Sequence, residues 1–219
     1  MKTDAIVVHS GGMDSSICLK LAILEFGKDN VLSLSFTYNQ RHANEVIQAA
    51  KIASHFGVRH LVLNIDCLQE ITENALINHS TLIKHVANQS PNTLVVGRNG
   101  LMARIAAIHA GQLKASCIFM GVIEVEASNS GYRDCSRAYM DLMEEILRID
   151  LDDPNFSIRT PLVFLTKRET MQLAESLGVL QYLLDETITC YEGLFQPGCK
   201  ICPACNLRNA GLQEYLDLM

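Results

Sequence analysis

The sequence lacks the features that mark several broad functional classes. No apolar run approaches the roughly 20 residues of a membrane-spanning helix, so we expect no membrane partner. The first apolar run, residues 5–8, is too short for the hydrophobic region of a secretory signal, which favours the cytoplasm. An excess of basic residues is also missing. The formal net charge of −6 argues against direct nucleic-acid binding, which usually requires a basic surface.

Three well-known loop motifs of α/β proteins are absent as well: G-x-x-x-x-G-K-S/T, G-x-G-x-x-G and G-x-S-x-G. The first apolar run leads instead into Ser-Gly-Gly-Met-Asp-Ser, residues 10–15. Paired glycines allow a tight turn, and the free amides of the following helix form an anion site. Asp14 fits such a loop if a divalent cation bridges it to phosphate. We predict a phosphate-binding loop; the alternative is a glycine turn in which Asp14 and Ser15 cap the helix.

Strand-like and helix-like segments alternate along the chain, which predicts an α/β fold with a parallel sheet. The predicted strands are residues 5–8, 31–36, 60–65 and 117–121. The predicted helices are residues 16–24, 43–56, 101–110, 137–149 (with Glu144 and Glu145 on its outer face) and 167–177. A further helix and a mobile loop near residues 88–92 are expected between residues 66 and 93. Ligands of such sheets bind where the strands end, so the loops 10–15, 37–42 and 122–136 and the stretch before residue 101 are candidates.

Four of the eight cysteines form the pattern C-x8-C-x2-C-x2-C: Cys190, Cys199, Cys202 and Cys205. A C-x2-C turn directs two thiolates at one metal ion, and four thiolates complete the tetrahedral shell of a structural zinc ion. An iron–sulfur cluster is an alternative, because C-x2-C-x2-C also occurs in bacterial ferredoxins. Unlinked structural thiols are a third possibility. The strict spacing favours zinc.

Residues 10–15 resemble the PP-loop of the ATP pyrophosphatase superfamily, whose members adenylate an oxygen and release pyrophosphate. Together with the cysteine pattern, they make the chain similar to the 7-cyano-7-deazaguanine synthase (QueC) family over nearly its whole length. The matching segments are residues 10–15, 38–42, 97–99, 130–132, 134–135, 160–162 with Lys167 and Glu169, 186–191 and 199–208. The resemblance implies a doubly wound parallel sheet of the PP-loop (adenine nucleotide alpha hydrolase-like) type in residues 1–185. Residues 186–219 would form a zinc-binding segment packed on it.

The resemblance implies an ATP-dependent ligase that forms a C–N bond. The family adenylates the carboxylate of 7-carboxy-7-deazaguanine, and ammonia displaces AMP to give the amide. A second ATP then converts the amide to the nitrile. A carboxylate cannot expel oxide, whereas its mixed anhydride with AMP expels AMP readily, so the protein's task is positioning and charge neutralisation. The implied cofactors are ATP, Mg²⁺ at the PP-loop and a structural Zn²⁺, and the family implies a homodimer.

The resemblance also implies roles for individual residues. ATP would be bound by His9, Ser10, Gly11, Gly12, Met13, Asp14, Ser15 and Ser16. Catalysis would involve Asp14, Arg41, His42, Arg98 and Lys167. The deazapurine would contact Tyr38, Gln40, Asn99, Glu124, Glu126, Tyr132 and Tyr191. These residue types also have structural uses: turns and caps for the arginines, His42 and Asn99, a solvated charge for Lys167, and core packing for the tyrosines.

The chain departs from the family pattern mainly at residues 124–135, a loop that leaves the fourth predicted strand. This loop is two residues longer than usual. Glu126 at best replaces an aspartate, and Arg133 replaces a proline. Elsewhere, Asn39 and Val96 replace a glycine and a proline. The adenylation motifs are therefore intact, while the acceptor side differs.

This difference leaves two alternatives to nitrile synthesis. A diverged enzyme would adenylate the deazapurine acid but stop at the amide, or transfer the acyl group to an amine of a protein partner. A non-catalytic nucleotide-binding module belongs to a different class, against which the intact Asp14 and Lys167 argue. A tRNA-thiolating relative is disfavoured by the acidic net charge and by the lack of room for a tRNA-binding domain.

Overall fold

A computed structural model of the chain describes residues 2–38, 44–72, 92–124 and 132–218. The strands are β1 (Ala5–Val8), β2 (Val31–Thr37), β3 (Arg59–Asn64), β4 (Cys117–Met120) and β5 (Ser157–Arg159). The α-helices are α1 (Met13–Phe26), α2 (Asn44–His55), α3 (Cys67–Ile71), α4 (Arg98–Leu113), α5 (Arg137–Leu151), α6 (Lys167–Ser176), α7 (Leu180–Glu186) and α8 (Pro203–Leu216). None of the helices in these ranges has the length and apolar character needed to cross a membrane.

The five strands form one parallel sheet in the order β3-β2-β1-β4-β5. The chain runs from β1 outward to β3 and then returns to the opposite side of β1 to form β4 and β5. This reversal confirms the predicted doubly wound α/β fold. It also places the crevice between β1 and β4, where the strand order switches and where such sheets bind ligands.

Successive side chains of β1 and β4 point to opposite faces of the sheet, so the hydrophobic core is divided into two clusters, one on each face. Val7 and Phe119 pack in one buried cluster with α1, α6 and α7. Ile6 and Ile118 pack in the other with α4 and α5. Because successive residues of a strand point to opposite faces, strands covered by helices on both sides are apolar throughout. This is the physical reason that β1 and β4 appear in the sequence as short continuous apolar runs.

Most predicted elements are present within a few residues of their predicted bounds, but the C-terminal helix α8 was not predicted. Its buried face consists of Cys205, Arg208, Gly211 and Tyr215, none of which is aliphatic. The helical spacing is present, yet the usual hydrophobic signal is not. The short strand β5 was also missed, because Ile158 is its one buried residue.

The prediction for the outer face of α5 was half wrong. Glu145 is exposed, but the side chain of Glu144 is only 13% exposed and pairs with Arg148 at 2.7 Å. Glu144 also accepts a hydrogen bond of 2.6 Å from the amide of Ile158 in β5. A carboxylate that satisfies an edge-strand amide can be buried next to a strand. The loop expected at residues 88–92 lies almost entirely outside the described residues.

Candidate functional site

The loop that joins β1 to α1 turns sharply and comes close to α2. Gly11 has a φ of 81°, in the left-handed region that favours glycine. A Cβ at this position would lie 2.2 Å from the main-chain oxygen of Glu45, so a larger residue does not fit. Gly12 is the N-terminal cap of the 14-residue helix α1 and offers it no side-chain hydrogen bond. The free amides of α1 therefore face the carboxyl edge of the sheet, which is the geometry of an anion site.

Serine hydroxyls fix the shape of this loop. Ser15 Oγ accepts a hydrogen bond from the amide of Ser10 at 3.2 Å and donates one to the carbonyl of Gly12 at 3.1 Å. Ser16 Oγ donates to the same carbonyl at 2.8 Å. The side chains of Ser15, Ser16 and Met13 are buried, whereas Ser10 is exposed. Ser10 can thus offer its side chain to a phosphate, while Met13 and Ser15 can offer main-chain amides. The amide of Ser16 already donates to the carbonyl of Gly12 at 3.1 Å.

His9 lies beneath the loop. It is 1% exposed, and its ring nitrogens lie 2.9 Å from Ser33 Oγ and 3.0 Å from Ser16 Oγ. Burial, helped by nearby His60, lowers the pKa of His9 to about 3, so the ring is neutral at neutral pH. Because the Ser16 hydroxyl donates its proton to Gly12, it accepts from His9 Nε2–H. The side chain of His9 therefore supports the phosphate loop from the protein interior and does not face the anion site.

An ion pair joins the phosphate loop to α6. Nζ of Lys167 lies 2.5 Å from Oδ2 of Asp14, and the lysine side chain is only 9% exposed. Lys167 is the first residue of α6, and a capping box between Thr166 and Glu169 fixes that helix start. From the other side, Gly211 of α8 packs against the Lys167 side chain, where a Cβ would lie 2.3 Å from the lysine Cβ. The cation is thus held in place by two helices.

The second carboxylate oxygen of Asp14, Oδ1, is buried and accepts no hydrogen bond from the part of the chain that the structure describes. An orphaned carboxylate oxygen beside an anion site suits a hard cation. Mg²⁺ is usually held by one or two carboxylates together with substrate phosphates. The donor set therefore fits the Mg²⁺ predicted at this loop.

Arg98 lies among three tyrosines. Its Nη1 donates to Tyr38 Oη at 3.1 Å, and its guanidinium lies 5.8 Å from the centroid of the same ring. Tyr132 Oη lies 2.5 Å from Oγ1 of the buried Thr93 and 3.5 Å from Tyr191 Oη. Tyr38 raises the pKa of Arg98, burial opposes it, and Tyr191 and Tyr132 add to the rise. The result is a fixed cation against one aromatic ring, with two more tyrosines acting on its charge, which suits a planar, acidic ligand.

Asn99, next to Arg98 in the chain, is hydrogen-bonded to Asp134 and Cys135. The amide of Asn99 donates to Asp134 Oδ2 at 2.9 Å, and Asn99 Nδ2 donates to Cys135 Sγ at 3.3 Å. Burial first, and then Asp134, raises the pKa of the Cys135 thiol to about 12, so the thiol stays protonated. Both Arg98 and Asp14 also act electrostatically on this thiol. Charges from both halves of the predicted site therefore act on the same thiol.

Glu45 of α2 is a further titratable group at this site. Burial raises the pKa of its carboxyl to about 7, and the nearby Arg98 partly opposes that rise. Its charge also acts on Tyr38. A carboxyl group that gains and loses a proton near neutral pH is suited to general acid–base catalysis.

The remaining predicted site residues either make a structural contact of their own or lie outside the described ranges. Glu124 Oε2 accepts a hydrogen bond of 2.8 Å from the amide of Arg137, so this carboxylate caps the start of α5. The predicted contact of Glu124 with the substrate would have to be made by its other carboxylate oxygen, Oε1. Four predicted residues lie outside the described residues: Gln40, Arg41, His42 and Glu126.

The four cysteines of the predicted metal site are brought together. The sulfur atoms of Cys190, Cys199, Cys202 and Cys205 all lie within 4.8 Å of one another. The amides of Cys199 and Glu192 each donate to Cys190 Sγ at 3.4 Å, and the amide of Cys202 donates to Cys199 Sγ at 3.2 Å. Such outer hydrogen bonds orient thiolate ligands. The cluster could hold a metal ion in a closed shell of sulfur ligands.

The cysteine cluster is connected to the phosphate loop by the chain itself. The amide of Ile188 donates to the carbonyl of Gly11 at 3.2 Å. Two residues later comes Cys190, and Tyr191 is next, with its hydroxyl near Tyr132. One short segment therefore touches the loop, supplies a cysteine to the cluster and places an aromatic ring next to Arg98.

Glu45, Thr93 and Cys135 were not among the predicted site residues. An acidic residue one turn beyond the candidate loop 37–42 is a signal that could have found Glu45. Cys135 falls in the candidate loop 122–136 and in the family-matching segment 134–135, which could have found it. Thr93 carries no comparable signal, because a threonine is common in any core or loop. Only the tertiary contacts bring Thr93 to Tyr132 and Cys135 to Asn99.

A family model for "queuosine biosynthesis protein QueC" matches residues 4–216. Solved structures of the PP-loop ATP pyrophosphatase superfamily are also similar to this chain. One is the U34-tRNA thiolase NcsA from Methanococcus maripaludis with its 4Fe-4S cluster. It is 14% identical, with 99% of this chain and 73% of that chain covered, at a TM-score of 0.55.

Two further structures give the same result. The NH3-dependent NAD synthetase from Campylobacter jejuni subsp. jejuni NCTC 11168 is 17% identical, with 84% of this chain and 67% of that chain covered, at a TM-score of 0.51. A 4-thiouridine synthetase in an RNA complex with bound ATP is 17% identical, with 98% of this chain and 50% of that chain covered, at a TM-score of 0.51. At these identities the likeness shows the fold alone, and it confirms the PP-loop type of sheet.

Proposed function

The chain belongs to the QueC family of queuosine biosynthesis proteins, and from that premise we propose that it adenylates the carboxylate of 7-carboxy-7-deazaguanine. Ammonia would then displace AMP to give the amide, and a second ATP would convert the amide to the nitrile. The observation that supports this best is the pairing of two sites at the β1–β4 crevice. Asp14 and Lys167 form one, and Arg98 with its tyrosines forms the other, with Cys135 acted on by both.

In the first step, a carboxylate oxygen attacks the α-phosphorus of ATP, and the bond to the β,γ-pyrophosphate breaks. Negative charge grows on the pyrophosphate as it leaves. Lys167, held by two helices beside Asp14, and the amides at the start of α1 would stabilise this charge. Mg²⁺, bound through Asp14 and the phosphates, would supply Lewis-acid neutralisation of the same charge.

The Arg98 cluster would hold the deazapurine acid. Aromatic side chains offer faces on which a flat heterocycle stacks, and the guanidinium offers several N–H donors to a carboxylate. Of these donors, Nη1 is occupied by Tyr38. Orientation of the carboxylate towards the phosphate loop would provide the proximity that a bimolecular step lacks in solution.

In the second step, the nitrogen of ammonia attacks the acyl carbon, AMP leaves with the electron pair, and the nitrogen must lose a proton. Glu45 is the candidate to accept that proton, because its carboxyl group lies near Arg98 and Tyr38 and titrates near neutral pH. Residues of the same site would bind the amide for its second activation.

We extend the proposal to the wider organisation of the protein. Residues 1–185 would form the ATP-binding domain, and residues 186–219 the metal-binding segment packed on it. The metal would be a structural Zn²⁺. The partners would be the deazapurine, ammonia and a second copy of the chain, in the cytoplasm.

The product assay tests the proposed function directly. Purified protein is incubated with ATP, Mg²⁺, an ammonium salt and 7-carboxy-7-deazaguanine, and products are identified by mass spectrometry. We expect AMP, pyrophosphate and the nitrile. Accumulation of the amide alone, or of a conjugate with an added amine-bearing protein, would instead establish the diverged enzyme. Absence of AMP under all conditions would contradict adenylation of this acid.

Replacement of Glu45 by glutamine is expected to slow amide formation about 10²-fold at alkaline pH and much less at acidic pH. The carboxyl group accepts a proton only when ionised, and its pKa is about 7. The ratio of wild-type to E45Q rates should therefore rise as the pH increases through about 7 and then level off. Comparison at equal pH cancels the titration of ammonia. The exposed Glu175→Gln variant on α6 serves as control, and a flat ratio would remove Glu45 from the proton transfer.

A further inference from the structure

Arg208 is a buried cation that the proposed reaction does not use. It lies on α8 one turn beyond Cys205, it is 2% exposed, and it is among the largest fully buried side chains of the described chain. A guanidinium remains charged in proteins. Burial of a charge is costly unless an opposite charge or several acceptors compensate it. The position therefore requires an anionic partner.

The described residues provide no carboxylate for Arg208 within ion-pair distance. Its hydrogen bonds there go from Nε and Nη2 to Asn209 Oδ1, at 3.2 and 3.1 Å. The Asn209 amide is itself fixed by a hydrogen bond of 3.1 Å from its Nδ2 to the carbonyl of Pro197. A neutral amide orients the guanidinium but leaves its charge uncompensated.

The nearest candidate for that anion is the cysteine cluster. Gly198 separates the two groups: a Cβ built on it would lie 2.3 Å from Cys205 Sγ and 3.4 Å from Arg208 Nη2. Nη2 and Sγ therefore lie within about 6 Å of each other, a range at which opposite charges attract one another in a partly buried site. A side chain at position 198 would displace one or both groups.

The charge of the loaded cluster matches this requirement. A divalent ion with four thiolate ligands carries a net charge of −2, and three of the four cysteines are buried. We propose that Arg208 is the counter-charge of this tetrathiolate site: it stabilises the metal-bound thiolates electrostatically, and Asn209 positions it. A buried cation and a buried dianion, each unfavourable alone, then compensate one another.

Nucleotide phosphate is the competing partner for Arg208. One turn further along α8, Gly211 packs against Lys167, so the same helix also borders the phosphate loop. The described contacts favour the cysteines, because Nη2 approaches Gly198 and the bonds to Asn209 hold it on that side. If Arg208 pairs with the cysteines, its loss should weaken metal retention. If it pairs with nucleotide phosphate, its loss should weaken ATP binding instead.

The test uses the purified, metal-loaded protein and its Arg208→Gln, Arg208→Lys and Asn209→Ala variants. Metal transfer to an excess of a chromogenic chelator should be about 10–100-fold faster in R208Q, because loss of an outer-shell partner weakens metal sites by that order. R208K keeps the charge and should remain close to the wild type. N209A should fall between them, because the charge remains but its position is loosened.

A second readout separates a charge effect from simple loss of packing. Removal of a neighbouring cation makes bound thiolates more nucleophilic. Alkylation of the four cysteines by iodoacetamide, followed by mass spectrometry, should therefore be faster in R208Q than in R208K. Unchanged metal release and alkylation in R208Q would overturn the proposal, as would R208K behaving like R208Q. Weaker equilibrium binding of ATP with normal metal retention would assign Arg208 to the phosphates instead. None of these outcomes depends on the identity of the acid that is adenylated.

Discussion

Replacement of Lys167 by methionine is expected to lower the rate of AMP release by about 10³-fold, the order found when a charge-stabilising group is removed from an active site. Lys167 is nearly buried and lies 2.5 Å from Asp14, beside the anion site at the start of α1. Methionine preserves most of the side-chain volume but removes the charge that would oppose the developing charge on pyrophosphate. ATP binding should weaken less than the rate, because main-chain amides remain. Steady-state release of AMP and equilibrium binding of ATP measure the two effects.

Lys20→Met is the matched control, because the same chemical change is made on α1, where Lys20 contacts the ring of Phe56. It should leave the rate unchanged. The thermal unfolding temperatures of both variants show whether Asp14, left without the lysine charge in K167M, destabilises the protein. A wild-type rate in K167M would contradict the role of Lys167. If Asp14→Ala also left ATP binding and activity unchanged, the chain would be a non-catalytic module.

Replacement of Cys202 by serine is expected to remove the bound metal and to reduce the free energy of unfolding by on the order of 5 kcal/mol. Cys202 is buried, and its sulfur lies within 4.8 Å of the other three cysteine sulfurs. A closed metal site contributes its binding energy to folding, so loss of one ligand destabilises the segment around it. Elemental analysis gives the metal and its stoichiometry, and denaturant unfolding gives the free energy.

Cys67→Ser is the control for this experiment, because Cys67 is exposed and lies far along the chain from the cluster. It should retain one metal ion per chain and wild-type stability. Zinc in the wild type would support the structural site proposed here, whereas a brown iron chromophore would establish the iron–sulfur alternative. Retention of metal and stability in C202S would contradict a four-cysteine site.

The metal site and the reaction are expected to be linked through the segment that joins them. Ile188 is hydrogen-bonded to Gly11 of the phosphate loop, and Tyr191 lies next to Tyr132. Between them is Cys190, which the metal would hold. Loss of the metal should therefore affect the pocket as well as the C-terminal segment, although no metal ligand touches the substrate in the proposed mechanism.

Much of the fold could be predicted from local patterns. Apolar runs located β1, β2, β3 and β4, and their alternation with helices predicted the parallel sheet that is present. The spacing of four cysteines predicted their convergence. These patterns work because the period of a strand or a metal knuckle involves only neighbouring residues. The helix α8 was missed because its buried face, with Arg208 and Gly211, carries no aliphatic pattern.

For the candidate site, too, the sequence predicted one part and the tertiary structure was needed for the rest. Residues 10–15 by themselves indicated a phosphate loop, because Gly11 and Asp14 carry that chemistry within one turn. The orientation of each side chain required the tertiary structure: His9 and Ser16 lie beneath the loop, and Glu124 caps α5. Whether a polar side chain faces a ligand or the interior depends on contacts from distant segments.

The sequence alone thus determined the class of fold, the phosphate loop, the cysteine cluster and the family resemblance, since each is a short-range signal. Tertiary structure decided which groups share one site. It brought Lys167 to Asp14 across 153 positions of the chain and placed Glu45 where the charge of Arg98 acts on its carboxyl group. It also set Arg208 across Gly198 from the sulfur of Cys205. Charges and pKa values depend on burial and on neighbours that are remote in sequence, so they appear only once the chain is folded.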